Sequence, residues 1–182
     1  ERNAEAVRKL GARLRATRPR GVLTCARGSS DHAATFGRYL IETRLGLLTT
    51  SVSPSIASVY GVETDYSDML ALGISQSGKS PDILAAMRAA KESGARTVAM
   101  VNVEDSPLAA ESDTLVPLRA GPEISVAATK SYIAALAAQL HLVCEWAGDE
   151  SLAAGLAALP DRLEAAWAAD WSPLVERLHG AR

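Results

Sequence analysis

Four short runs of aliphatic and β-branched residues, Gly21 to Ala26, Met69 to Ser75, Arg96 to Asn102 and Asp113 to Leu118, are separated by segments of helical periodicity. Runs of this length bounded by turn residues read as buried strands, and Leu47 to Val52 is a weaker fifth. In the intervening segments, Ile83, Leu84, Met87 and Ala90 line one helix face, as do Ile133, Leu136, Leu140 and Val143. Parallel strands need a crossover, so strand and helix in repetition imply a parallel sheet with both faces covered. The expected fold class is therefore α/β, a doubly wound sheet in a three-layer α/β/α arrangement.

Boundary residues agree with this phasing. Ser80-Pro81 places an N-cap before a proline at the first helical position, and Gly94 stands where a left-handed C-terminal residue is wanted. Gly46 closes a helix starting near Ser29-Ser30-Asp31, and a long alanine-rich helix from about Ser125 to Trp146 stops before Gly148. Beyond it, Glu150 to His179 is helix-forming, broken by Pro160 and Pro173, with no further strand. The expected organisation is an N-terminal helix over 1–20, one α/β domain over 21–148, and a helical linker or cap over 149–182.

A chain of 182 residues is long enough for one full core. Its 19 basic and 21 acidic residues leave a net charge of -2, which argues against nucleic acid or a bilayer as partner. No run approaches the ~18 apolar residues of a membrane span, and the start lacks the charge order of a signal peptide, so a cytoplasmic protein is expected. Cys25 and Cys144 lie in apolar runs at no metal-ligand spacing and read as buried, reduced thiols. The chain opens without methionine inside a helical pattern, as a fragment would.

Ligands of doubly wound sheets bind beyond the carboxyl ends of the strands. Two loops there are rich in hydroxyls: Arg27-Gly28-Ser29-Ser30-Asp31 and Ser75-Gln76-Ser77-Gly78-Lys79-Ser80. Each joins a strand to a helix start, so hydroxyls, backbone amides and a helix N-terminus converge, as a phosphate monoester requires. Ser and Gly also serve as ordinary caps and turns, so either loop alone could be purely structural; two at one sheet edge point to an anion site.

The run Gly73 to Ser80 also satisfies the P-loop pattern of nucleotide-binding proteins. Against that reading, Gly73 lies inside the apolar strand, Pro81 follows directly, and only Asp105 offers itself as a magnesium carboxylate. A third segment, Ala120 to Ser131, links the last strand to the long helix, and its Gly121-Pro122 turn and small residues would let backbone amides approach a ligand. Glu123 and Lys130 there are candidates either for the site or for plain solvation.

Arg27-Gly28-Ser29-Ser30, Ser75 to Ser80, and Glu123-Ile124-Ser125-Val126-Ala127-Ala128-Thr129-Lys130 resemble, in order and spacing, the first sugar isomerase (SIS) domain of the glucosamine-6-phosphate synthases. The resemblance covers about Gly21 to Trp146. It implies a five-stranded, flavodoxin-like parallel sheet and an enzyme that interconverts fructose 6-phosphate and glucosamine 6-phosphate. It also implies that Ser30, Ser75, Gln76, Ser77 and Ser80 bind the sugar phosphate, with Gly28, Ser29, Gly78, Val126 and Ala127 lining it. Lys79 stands where the synthases carry glutamate, and Ala128 where they carry a hydroxyl residue. The full run Ser75 to Asp82, with Arg27 to His32, is more similar to relatives that lack the glutamine-hydrolysing domain and resemble glucosamine-6-phosphate deaminases.

Aldose–ketose interconversion needs a base between C1 and C2 and an acid to open the ring. In the resembled family these come from a second SIS domain and its tail, so the chain alone is expected to bind without turnover, with a second SIS domain and a homodimer as partners. Within these residues Glu123 and His32 are the weak catalytic candidates; His32 could equally face solvent, and His141 and His179 read as structural. Arg27 either balances phosphate charge or pairs with a local carboxylate. No cofactor or metal is implied. A non-catalytic sugar-phosphate sensor is the alternative, since SIS domains also serve regulators.

Overall fold

The computed structural model describes residues 3–53, 55–56, 59–60, 62, 64–124 and 128–181. Helix α1 (Ala4–Ala16) leads into β1 (Gly21–Ala26), α2 (Ser29–Leu45), β2 (Thr49–Ser51) and β3 (Met69–Ser75). There follow α3 (Pro81–Glu92), β4 (Arg96–Val101), α4 (Pro107–Glu111), β5 (Thr114–Pro117) and α5 (Thr129–Ala147). Helices α6 (Glu150–Ala157), α7 (Leu159–Ala168) and α8 (Ser172–His179) complete the described chain. The five strands form one sheet in the order β2-β1-β3-β4-β5, and all four pairings are parallel. The fold is thus the three-layer α/β/α sandwich with a five-stranded parallel sheet.

Alternate strand residues supply two cores. Val22, Ala26, Leu70, Leu72, Ile74, Val98 and Met100 face a cluster built with α1, α2 and α5. Leu23, Cys25, Ala71, Ala99 and Val101 face another built with α3 and α4. Each strand is apolar on both sides because both faces of a parallel sheet are covered. Large side chains such as Leu72 and Ile74 are buried, each contributing roughly 1.5–3 kcal/mol.

The connection from β1 runs outward to the β2 edge under α2, whereas β3 to β5 progress the other way under α3 and α4. Right-handed crossovers in opposite directions put their helices on opposite faces. The loops leaving the adjacent strands β1 and β3 therefore diverge, and the crevice between their carboxyl ends is the topological switch point.

Glycines stop helices where expected: Gly46 and Gly148 are left-handed at φ 61° and 67°, and Gly94 follows α3 at φ 91°. The long helix is described from Thr129, with Ala128 at its N-cap, and the expected start at Ser125 lies outside the described residues. Where α2 crosses α5, a Cβ on Gly37 would lie 1.8 Å from Gln139 Oε1. Gln139 is buried there and donates Nε2 to the Ala33 carbonyl at 2.8 Å and the Ala135 carbonyl at 3.1 Å. The three last helices contrast with this packing, since none contains a buried residue and Trp167 is 90% exposed. Among the described residues no helix is long and apolar enough to cross a membrane.

Candidate functional site

Ser75 is the last residue of β3 and is buried. Its Oγ accepts the Gly78 N–H at 3.0 Å, and Ser77 Oγ accepts the Lys79 N–H at 3.3 Å. These bonds use oxygen lone pairs, so both hydroxyl protons remain free to donate to an anion. They also occupy two of the backbone amides that the sequence suggested were free. Gly78 turns the loop at φ 62°, a conformation that favours glycine. From below, the Gln76 carbonyl accepts the Asn102 N–H and the Gly78 carbonyl accepts the Leu108 N–H, both at 3.2 Å. Ser80 is the N-cap of α3 without a side-chain capping bond, and Pro81 occupies the first turn.

The same geometry disposes of the P-loop pattern. Gly73 pairs with Cys25 and Ala99 in mid-sheet, and a Cβ on it would press against Met87 and Leu108 at 3.2–3.3 Å. It is a packing glycine within the strand, two residues before the strand ends.

Across the switch point, Gly28 (φ 59°) is the N-cap of α2 and leaves that helix start without a side-chain cap. Ser29 is exposed and Ser30 half-buried, and neither hydroxyl makes a hydrogen bond among the described residues. Arg27 Nη1 reaches over to Asp82 Oδ2 at 2.8 Å, so the guanidinium takes the carboxylate alternative and joins the two loops. Asp82 Oδ1 meanwhile accepts the Ile83 N–H at 3.0 Å in the first turn of α3. Beneath them Cys25 is buried; desolvation, reinforced by Asp82 and Asp31, pushes its thiol up to about 12. It is a packing residue and not a nucleophile.

The third segment is held by its own side chains. Glu123 Oε2 accepts the Ser131 N–H at 2.8 Å and the Ser131 hydroxyl at 2.9 Å. Ala128, at the N-cap of α5, has no side chain to do this, and Glu123 replaces it from upstream. The hydrogen bond from the Ser131 amide, with that of its hydroxyl and the Lys130 charge, holds the Glu123 carboxyl below its ordinary value. Lys130 donates Nζ to the Pro122 carbonyl. Glu123 is thus a tethered carboxylate. Ser125, Val126 and Ala127 lie outside the described residues.

His32 is exposed on the first turn of α2. His141 faces Glu145 at 3.7 Å, and burial lowers its pKa. Among the described residues no cluster of three or more His, Cys, Asp or Glu could hold a metal ion.

The sequence reading passed over Asn102. It follows β4, donates Nδ2 to the Gly121 carbonyl at 2.9 Å and accepts the Ala120 N–H on Oδ1 at 2.7 Å. The rule that drew attention to Ser29 and Ser77, inspection of polar residues just past a strand, would have found it. Asn102, Glu104, Arg119 and Gly121 line an open cleft of about 560 Å³. Another, of about 220 Å³, runs between α2 and the ends of β1 and β2, past Thr24, Asp31, Thr35 and Ser51.

The sheet order defines a flavodoxin-like α/β domain whose switch point lies between the loops leaving β1 and β3. Residues 17–144 match the model of the SIS domain, and the chain belongs to that family. Over 163 residues it is 38% identical to the isomerizing glutamine–fructose-6-phosphate aminotransferase of Symbiobacterium thermophilum, covering 83% of this chain and 26% of that protein. The Aquifex aeolicus enzyme of the same name is 44% identical over 119 residues, 65% of this chain and 20% of its own length. Among solved structures, a proposed phosphosugar isomerase from Silicibacter pomeroyi superposes with a TM-score of 0.95 at 44% identity, over 98% of this chain and 55% of that one. The chain therefore spans about a quarter of the curated relatives it matches and about half of this structural one.

Proposed function

We propose that this chain is the sugar-phosphate-binding lobe of an amino-sugar-phosphate isomerase or deaminase acting between glucosamine 6-phosphate and fructose 6-phosphate. The observation that carries the reading is the pair of loops facing each other at the switch point, with Ser30 on one and Ser75, Gln76, Ser77 and Ser80 on the other. Their free hydroxyl donors and two helix N-termini suit a phosphate dianion. Gly28, Ser29 and Gly78 would line the same crevice, and the 120–128 segment, including Val126 and Ala127, would follow the sugar.

Binding the non-reacting phosphate supplies energy that positions the carbons at which the proton moves. Glu123 is engaged by Ser131 and His32 is exposed, so neither is placed as the acid or base, and a second SIS domain is assigned that role. Helices α6 to α8, with their exposed Trp167 and Leu178, would form the linker or cap toward it. The names of the relatives support sugar-phosphate chemistry in the parent protein; a homodimeric, cytoplasmic form is part of the proposal.

The test is calorimetric titration of the chain with glucosamine 6-phosphate, fructose 6-phosphate and ATP–Mg. Binding of a sugar phosphate that is lost in Ser30→Ala and Ser77→Ala is the expected result. Binding of ATP–Mg alone, or unchanged sugar-phosphate affinity in both variants, would overturn the proposal.

A further inference from the structure

Three loops that leave the sheet separately meet at Asn102. Its backbone N–H binds the Gln76 carbonyl at 3.2 Å, in the loop assigned to the phosphate. Its side chain binds only the segment after β5, with Nδ2 on the Gly121 carbonyl at 2.9 Å and Oδ1 on the Ala120 N–H at 2.7 Å. Two bonds of opposite sense, to the N–H of Ala120 and the carbonyl of the adjacent residue Gly121, fix both the position and the rotation of that stretch, which one bond would leave free to pivot. Gly121 sits there at φ 75°, a left-handed conformation that glycine adopts without steric cost. Eight residues before Ser131, Glu123 ties the other end of the segment to the start of α5. The stretch from Ala120 to Glu123 is thus anchored at one end by Asn102 and at the other by the Glu123 side chain on α5.

Resting on the reading of the crevice as a sugar-phosphate site, we infer that Asn102 is a positioning residue that sets the sugar-facing segment against the phosphate loop, and that its side chain governs affinity for the sugar and not for the phosphate. The division follows from the bonding. Only the main chain of Asn102 supports Gln76, while Ser75 holds the Gly78 N–H, Ser77 holds the Lys79 N–H and the Gly78 carbonyl accepts from Leu108, so a change of side chain leaves the phosphate loop in place. The Ala120–Gly121 turn, in contrast, loses both restraints.

The experiment measures Asn102→Ala and Asn102→Asp beside the unaltered chain, with inorganic phosphate, glucosamine 6-phosphate and fructose 6-phosphate as titrants. Asn102→Ala should weaken the sugar phosphates about tenfold, the effect of losing two hydrogen bonds, one exposed and one half-buried, and shift inorganic phosphate less than about twofold. Asn102→Asp keeps the acceptor for the Ala120 N–H but sets oxygen against the Gly121 carbonyl, so it should fall between the two. Equal weakening of all three ligands, or no change in any, overturns the inference. Amide hydrogen exchange without ligand provides a separate arm: faster exchange at Ala120 with unchanged protection at Gly78 and Lys79 is expected, and general loosening of both loops would make Asn102 a fold residue only. If the unaltered chain binds no sugar phosphate, the functional reading itself fails, whereas normal binding with no split between ligands fails the role of Asn102 alone.

Discussion

Gly78 packs so tightly on Ser106 that a Cβ at this glycine would lie 2.2 Å from Ser106 Oγ and 2.6 Å from its Cβ. Ser106 is fully buried and caps α4, accepting the Ala109 N–H at 3.4 Å, so it has no space to withdraw into. The serine loop after β3 is therefore shaped by a helix start from the next crossover.

Gly78→Ala should consequently destabilise the chain and its ligand site together. The left-handed backbone alone costs a non-glycine residue about 1–2 kcal/mol, and the overlap with Ser106 adds to it. Adding Ser106→Gly would remove the overlap and leave the backbone strain, giving partial recovery in thermal unfolding. Full recovery would show that strain at φ 62° is unimportant.

The Arg27–Asp82 bridge spans the proposed phosphate crevice with the arginine largely exposed. A double-mutant cycle with Arg27→Met and Asp82→Asn should return a coupling in stability of about 0.2–1 kcal/mol, as for other exposed pairs. Asp82→Asn keeps the oxygen that accepts the Ile83 N–H but releases the guanidinium. Inorganic phosphate should then bind more tightly and with steeper salt dependence; weaker binding would assign Asp82 a direct part in holding ligand.

Glu123 titrates below its ordinary 4.5 because the Ser131 amide binds its ionised form. A carboxyl depressed on folding contributes stability that is complete above the unfolded value and is lost as pH falls through the folded one. Unfolding midpoints should thus decline below about pH 4.5, and Glu123→Gln, which keeps an acceptor but carries no charge, should show a shallower decline over that range. Parallel curves for the two chains would refute the assignment.

Cys25 and Cys144 are both buried and unpaired, with thiols raised chiefly by desolvation. Neither should react with an alkylating reagent near pH 8 on the timescale of minutes in the native chain, and both should react in denaturant. Rapid labelling of native Cys25 would mean that the crevice floor opens.

The strands were legible because a sheet buried on both faces leaves uninterrupted apolar runs, and Gly21–Ala26 and Met69–Ser75 have the ends that their composition suggests. The last strand is shorter than its run: Asp113 turns its carboxylate onto the Thr97 amide and hydroxyl instead of joining the ladder. Ser80 has the residue type of a capping serine without the capping bond, since its hydroxyl was judged from local preference and its rotamer is decided by neighbours in three dimensions. Arg27 could not be assigned a partner from sequence, because Asp82 becomes adjacent only when β1 and β3 pair.

What the sequence determined by itself were the terms repeated locally: strand and helix phase, the glycine stops, the family motifs, and the hydroxyl content of the two loops. Each follows from interactions among residues a few positions apart, which the order of residue types records directly. Only the tertiary structure decided that both serine loops leave adjacent strands and are joined by Arg27 and Asp82, that Gly78 rests on Ser106, that Glu123 caps a helix, and that Asn102 clasps two loops. These are contacts between segments leaving different strands, and they depend on the register and order in which the sheet assembles, a property of the whole chain and not of any stretch of it.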